Sequence, residues 1–225
     1  MGLHKLALGL ALVLVAVGTA RADWIAYQVD GPVNGNQGYG MPLGLDFDVS
    51  TRIGILALGA FDDQRNGVIS PITVRLWART GTGNSASGTE IVATGIPATV
   101  SGTIPLQAGF AFVDLASPLV LGPGSYTISA EGYGAGDNNG NSNAGDILPR
   151  HTDSGGGLIS FVQSRYGTAP VAFPANAGEW GSGANLVPGF TFLGPSFRFE
   201  QVPEPVSASL FAVSLAFLAA RRPRR

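Results

Sequence analysis

The stretch Ile72-Thr-Val-Arg-Leu-Trp77 gives the clearest indication of the fold class, because its side chains alternate in character. The first, third and fifth are aliphatic, whereas the second, fourth and sixth are a threonine, an arginine and a tryptophan. Successive side chains of a β-strand point to opposite faces, so this alternation predicts one buried and one outer face. Such a half-buried pattern is typical of a strand in an antiparallel sheet.

Similar runs, rich in Val, Ile, Thr, Phe and Tyr, occur along the middle of the chain and are separated by Gly, Pro, Asn and Ser. They predict strands at 24–29, 43–49, 52–61, 72–78, 90–94, 98–101, 111–115, 125–133, 158–163, 171–173 and 190–200. About ten short strands with turn residues between them predict an all-β domain, an antiparallel two-sheet sandwich of jelly-roll-like form. A parallel β-helix is the alternative, but the glycines show no regular period.

Residues 1–22 have the form of a secretory signal peptide. Lys5 lies in a short basic lead, an apolar core follows at 6–17, and the segment ends in Ala20-Arg21-Ala22. Small residues at Ala20 and Ala22 predict cleavage after Ala22 by signal peptidase. A membrane-spanning helix is the alternative, but a core of about a dozen residues is short for one. The mature domain is therefore predicted over 23–201.

The segment 202–225 predicts a single apolar helix that enters a membrane. It begins with Val202-Pro203-Glu204-Pro205, continues through an apolar run at 206–220 and ends in Arg221, Arg222, Arg224 and Arg225. The prolines interrupt any preceding strand, and the arginines resist crossing the bilayer and stay on the cytoplasmic side. The apolar run spans roughly 22 Å as a helix, less than the roughly 30 Å of the hydrocarbon core, so a durable anchor would be marginal.

This tail is similar to the PEP-CTERM sorting signal of Gram-negative bacteria. It matches that signal at Val202, Pro203, Glu204 and Pro205, in the apolar span and in the arginine cluster, over 24 of the 225 residues. The resemblance implies cleavage near the triplet by an exosortase, a membrane protease and transpeptidase. It also implies transient membrane contact, a precursor anchored in the inner membrane, and a final place in the outer envelope or outside the cell. The alternatives are a permanent anchor and a helix that docks on the domain.

A second resemblance covers parts of the predicted domain. The stretches 52–62, 70–77 and 118–129, with Ser164-Arg-Tyr-Gly167 and the closing Phe-x-Phe, resemble uncharacterised sandwich ectodomains that accompany this kind of tail. This resemblance implies a sandwich fold and does not indicate a catalytic activity.

Charge and cysteine content exclude several classes of function. Six of the 13 basic and one of the 15 acidic residues lie outside 23–201, which leaves seven basic and 14 acidic residues there and a formal charge of −7. A domain of this sign repels the phosphate backbone, so nucleic acid is not an expected partner. The chain has no cysteine, which excludes disulfides, thiolate metal sites and a cysteine nucleophile.

Catalytic motifs are missing from the sequence, so we predict that the protein is not an enzyme. His151 is the one histidine of 23–201, and no Gly-x-Ser-x-Gly motif accompanies it. No spacing selects a catalytic pair among the acids Glu90, Glu131, Glu179, Asp46, Asp48 and Asp114. Asp46 and Asp48 alternate on a predicted strand, and we expect them to share its solvent-facing side.

Two loops carry oxygen-rich side chains. Asp137, Asn139 and Asn141 occupy alternate positions, with Asp146 close behind, and this spacing predicts a candidate calcium site. The stretch 62–67 imitates the start of a calcium-binding loop but has glutamine at its third position. The alternative for both is an Asn- and Gly-rich loop without an ion, so no other cofactor is predicted.

Two function classes follow from these observations. The first is a non-enzymatic exported envelope or extracellular-matrix protein, sorted and processed through its tail. The second is a carbohydrate-binding module, in which Trp24, Trp77, Trp180 or Tyr133 would stack on glycan rings. The two classes differ in whether two of these rings line one exposed face.

Overall fold

The computed structural model describes residues 22–31, 34–96, 106–134, 136–141, 150–178 and 191–203. In this part of the chain the protein is all-β, and its only helical turns are the short 3₁₀ segments Asp63–Arg65 and Gly83–Ser85. The strands are β1 (Asp23–Ile25), β2 (Tyr27–Val29), β3 (Leu43–Val49), β4 (Ile53–Phe61), β5 (Ile72–Thr80), β6 (Ser87–Ile96), β7 (Leu106–Gln107), β8 (Phe110–Leu121), β9 (Gly124–Glu131), β10 (Gly140–Asn141), β11 (Arg150–Thr152), β12 (Ile159–Tyr166), β13 (Asn176–Ala177), β14 (Phe192–Leu193) and β15 (Pro195–Gln201).

These strands form several antiparallel sheets. A five-stranded sheet has the order β1-β15-β4-β8-β7, and a six-stranded sheet has the order β13-β12-β3-β9-β5-β6. The pairs β10-β14 and β11-β2 form two small sheets. The two larger sheets pack on each other, because the ring of Phe47 on β3 lies 4.7 Å from that of Phe197 on β15. The result is a sandwich-like arrangement with the core between the two larger sheets.

The alternation along β5 places its aliphatic side chains in that core. Ile72, Val74 and Leu76 are fully buried among the core residues, as predicted. Thr73 and Trp77, whose strand partners on β9 are Glu131 and Thr127, lie on the opposite, outer face of the six-stranded sheet. The antiparallel, half-buried character predicted from this stretch is confirmed.

Most predicted strands are present, but one is wrong. Strand β3 has the predicted bounds, whereas β8 continues through Pro118 to Leu121. The predicted strand 171–173 is instead a turn, with Val171 at φ 56°. Its apolar composition predicts a strand, but in this loop Val171 is exposed and Phe173 packs against Trp77 on the outer face of the six-stranded sheet. The predicted strand 98–101 lies outside the described residues.

The first and the last strand of the described chain, β1 and β15, are neighbours in the five-stranded sheet. Asp23 on β1 is the register partner of Glu200 on β15, and Arg198 on β15 donates to the Asp23 carboxylate. Strand β15 ends at Gln201, after which the Val202 N–H donates to Arg52 O at 3.1 Å. The next residue, Pro203, is exposed.

Both predicted targeting segments fall almost entirely outside the described residues. The signal-peptide residues 1–21, which include Ala20, lie there, and so do Glu204, Pro205 and the arginines Arg221, Arg222, Arg224 and Arg225. Among the residues that the structure does describe, there is no helix of the length and apolarity needed to cross a membrane.

Candidate functional site

Both oxygen-rich loops lie at one junction, although nothing in the sequence shows that they are close together in space. We define the three-loop junction by residues 34–40, 62–70 and 136–141. The backbone joins the first and third of these loops, since Gln37 and Asn139 form a β-bridge and the Asn36 N–H donates to Asn139 O at 3.0 Å. Carboxylates join the second loop to the other two.

Asp137 holds the loop 62–70 through one of its two oxygens. Its Oδ2 accepts from the backbone N–H groups of Ile69 and Ser70 at 2.7 and 2.8 Å. Its Oδ1 is buried and has no hydrogen-bond partner. The side chain therefore contains one satisfied and one unsatisfied oxygen.

Asn139 and Asn141 are directed toward the loop 34–40. Both side-chain amide groups donate to Gln37 Oε1, at 3.1 and 3.0 Å, and Asn139 Oδ1 accepts from the Tyr39 N–H. The Asp137 carboxylate instead faces Ile69 and Ser70. Among the predicted calcium ligands, Asp137 is thus directed to a different loop, and Asp146 lies outside the described residues.

Asp62 and Asp63 add two more buried carboxylates to the junction. Asp63 accepts from the Gly35 N–H at 2.6 Å and from the Asn138 N–H at 3.3 Å, which links all three loops. Both oxygens of Asp62 accept from the single N–H of Gly67. Burial raises the pKa of Asp62, the backbone N–H groups of Gly67 and Asn66 lower it, and the charges of Asp137 and Asp63 raise it. Asp62 is therefore close enough to both of the other carboxylates to be repelled by them.

Within the described ranges, no group of three or more His, Asp or Glu side chains is placed so that it could hold one metal ion. The junction therefore has, at most, two carboxylates that could contact one ion directly.

A second polar cluster lies on the outer face of the six-stranded sheet and is centred on Asp46. Arg165 Nε donates to both Asp46 oxygens at 2.8 and 2.7 Å, and Arg79 Nε lies 3.4 Å from Oδ2. Thr127 Oγ1 and Gln163 Nε2 also donate to this carboxylate. The expectation that Asp46 faces solvent is wrong, because it is fully buried.

A loop covers this cluster, and we call residues 168–175 the strap. The Phe173 ring lies 5.4 Å from the Arg165 guanidinium carbon and 5.8 Å from the Trp77 ring. A side chain at Gly88 would approach Phe173 to 2.2 Å, so a residue without Cβ is required beneath the ring. Arg165 Nη1 also donates to Ala175 O at 3.2 Å. The strap therefore excludes water from the Asp46–Arg165 pair.

The aromatic residues expected to bind glycans do not form an exposed face in the described part of the chain. Trp77 is 6% exposed and donates to Ser129 Oγ, whereas Tyr133 is 2% exposed and donates to Gly194 O. Trp24 is half-buried against Phe199, with ring centroids 5.6 Å apart. Trp180 lies outside the described residues.

His151 lies on the surface, on the two-stranded sheet of β11 and β2. Its Nε2 is 2.5 Å from Asp30 Oδ2, and the two side chains are 53% and 69% exposed. The nearby Asp153 carboxylate accepts from the Gly155 N–H instead of orienting the imidazole. His151 therefore pairs with Asp30 at the surface, and Asp153 does not contact it.

Comparisons with known proteins identify no family. No protein-family model matches the chain, and no curated protein does. A solved structure of the Gt strain of infectious bursal disease virus is similar over 91% of this chain, with 14% identity and a TM-score of 0.24. This chain spans 48% of that viral chain. A likeness at this level carries no argument about fold or function.

Proposed function

We propose that this protein is a non-enzymatic component of the cell envelope or extracellular matrix, exported by a signal peptide and sorted through a PEP-CTERM tail. The main support is the position in the sequence at which the strands of the five-stranded sheet begin and end. Strand β1 starts at Asp23, directly after the predicted cleavage site at Ala22, and β15 ends at Gln201, directly before Val202. Both processing sites would lie beside the folded domain and not inside it.

In this proposal the domain 23–201 is a jelly-roll-like sandwich that acts through its surface. The order of the two larger sheets supports this form, because strands consecutive in sequence, such as β3 and β4, lie in different sheets. Signal peptidase and an exosortase are the processing partners. The C-terminal helix holds the precursor in the inner membrane until cleavage, after which the domain reaches the outer envelope or the medium.

The alternative, a carbohydrate-binding module, has less support from the described residues. A sugar ring stacks on an accessible aromatic face. Trp77 and Tyr133 are buried, and Trp24 is covered in part by Phe199. We therefore base the proposal on the first function class.

Intact-mass analysis in the native host tests the sorting proposal. Wild-type protein recovered from the outer envelope or medium should lack the mass of 206–225. Glu204→Ala should keep that mass and remain with the membrane fraction, because an exosortase that recognises the triplet no longer cleaves it. Thermal unfolding of the domain should be unchanged, since Glu204 follows the last strand.

Glu90→Ala is the matched control, because Glu90 is an exposed acid on β6 and its pair with Arg75 is 3.6 Å long. Exposed pairs contribute little to stability, so this variant should be processed like wild type. The sorting proposal fails if wild-type protein retains Arg221–Arg225 in every compartment. A permanent anchor would then replace it.

A further inference from the structure

We propose that the three-loop junction binds a calcium ion between the carboxylates of Asp62 and Asp137. This inference goes beyond the proposed function and does not depend on the sorting tail. It also differs from the ligand set suggested by sequence spacing, because it uses a carboxylate from each of two loops that are far apart in the chain.

The first reason is uncompensated charge. Asp62, Asp63 and Asp137 are 0%, 2% and 1% exposed, and their hydrogen bonds come only from backbone N–H groups. Among the described residues, no arginine or histidine forms an ion pair with any of the three. Buried carboxylates are normally paired with a cation or coordinate a metal, because burial removes their hydration. Arg65, the one basic residue of the junction, donates to Val29 O instead of pairing with these carboxylates, and the junction keeps a formal charge of −2.

The second reason is the unsatisfied oxygen of Asp137. Its Oδ1 is buried and has no hydrogen-bond partner, although a carboxylate oxygen has two lone pairs. A buried acceptor without a donor is destabilising, and such a group in a native structure calls for a partner such as an ion. Asp137 Oδ2 is already held by Ile69 and Ser70, so the carboxylate is fixed while Oδ1 stays available.

Asp62 is the second ligand, for two reasons of geometry. Its two oxygens accept from the backbone N–H groups of Gly67 and Asn66, so lone pairs remain for an ion. It also accepts from Gly67, two residues before Ile69, whose N–H donates to Asp137, so both carboxylates hold the same short stretch of the loop 62–70. Asp63 uses its two oxygens to hold Gly35 and Asn138, and it would contribute charge without contacting the ion.

The donor set favours calcium over other metals. The junction offers only oxygen ligands on irregular loops, which suits the six to eight oxygens and flexible geometry of Ca²⁺ better than the strict octahedron of Mg²⁺. Zinc prefers nitrogen and sulfur ligands, which the junction lacks. Because only two carboxylates would bind directly, with backbone carbonyls and water completing the shell, we expect a dissociation constant of about 0.1–1 mM, as in extracellular modules.

Thermal unfolding of the full chain in a nonionic detergent tests the site. Tryptophan fluorescence is followed in EDTA, in 10 mM CaCl₂ and in 10 mM MgCl₂. A ligand that binds only the folded state raises Tm, and the expected affinity corresponds to a rise of about 3–8 °C in calcium. Magnesium should give a smaller rise. Wild-type protein that shows no calcium-dependent rise overturns the inference.

The variant Asp137→Asn distinguishes cation binding by Asp137 from the hydrogen bonds with which this residue holds the loop 62–70. Asparagine keeps one oxygen for the Ile69 and Ser70 N–H groups but removes the charge and the free carboxylate oxygen. This variant should lose the calcium response, while its Tm in EDTA should equal or exceed that of wild type because repulsion with Asp62 is relieved. A calcium response that persists in Asp137→Asn overturns the inference. If Asp137→Asn does not fold, Asp62→Asn provides the same comparison.

Two control variants locate the ion. Asp30→Asn removes an exposed carboxylate of the same type and should keep the full calcium response. Asp146→Ala should keep it too, because Asp146 belongs only to the ligand set suggested by spacing. Loss of the response in Asp146→Ala, with the response intact in Asp62→Asn, would overturn our site in favour of that set. Neither result depends on whether the tail is cleaved.

Discussion

Replacing Arg165 with methionine should strongly destabilise the domain. Arg165 is fully buried, and its guanidinium donates to both oxygens of Asp46 and to the carbonyls of Gly83 and Ala175. Methionine has a similar apolar length but no donors. The substitution therefore leaves the Asp46 carboxylate buried beneath the strap with less positive charge around it.

The structure sets the size of this loss. Removing one partner of a buried ion pair typically costs about 3–5 kcal/mol. Asp46 would keep Arg79 Nε at 3.4 Å and the donors of Thr127 and Gln163, so we expect the low end, about 3 kcal/mol. Such a loss is a large part of the roughly 5–15 kcal/mol by which domains are stable.

Urea unfolding of residues 23–203, followed by tryptophan fluorescence, measures the loss. With a slope of about 2–3 kcal/mol per molar urea, the midpoint should fall by about 1–1.5 M. Arg198→Met is the control, because its pairs with Asp23 and Asp114 lie near the surface, and it should cost less than about 1 kcal/mol. If Arg165→Met costs no more than Arg198→Met, the Asp46 pair does not support the fold as described.

Two further predictions concern the strap and the junction. Phe173→Ala should shift tryptophan emission to longer wavelength and cost about 1–3 kcal/mol, because water then reaches the Trp77 ring that Phe173 covers; an unchanged spectrum would contradict this. Burial and the neighbouring carboxylates raise the pKa of Asp62 above its ordinary 3.8, so folding binds its proton more tightly, and the associated stability is lost as pH rises through the folded-state pKa. In EDTA, Asp62→Asn should therefore be more stable than wild type at pH 7 and lose that advantage toward pH 4. Urea midpoints of the two proteins measure the difference, and a difference that is equal at both pH values would refute this prediction.

The strands could be predicted from local patterns, because a half-buried strand must alternate. Strand β3 was predicted with its correct bounds, and the aliphatic face of β5 lies in the core. Alternation also shows that Asp46 and Asp48 share a face, and both contact Arg79. It cannot show that a strap more than a hundred residues later covers Asp46 and leaves Asp48 half-exposed.

The three-loop junction could be predicted only in pieces. Each acidic loop is visible in the sequence, and each is a weak match to calcium spacing when taken alone. Their proximity depends on strand pairing, since β4 leads into one loop from the five-stranded sheet and β9 leads into the other from the six-stranded sheet. Asp137 has a free oxygen because only its Oδ2 faces the Ile69 and Ser70 N–H groups, and no sequence pattern specifies the orientation of this carboxylate.

The position of β15 between β1 and β4 determines how the domain would bear a mechanical load. A tether attached after Gln201 pulls along the axis of β15, and the antiparallel hydrogen bonds to both neighbours are perpendicular to that axis. All of these bonds would then be stretched together in shear. Force applied between the two chain ends acts differently, since Asp23 and Glu200 are adjacent and β1 would peel from β15 one bond at a time. A protein held by its C-terminal end alone is therefore the mechanically resistant form.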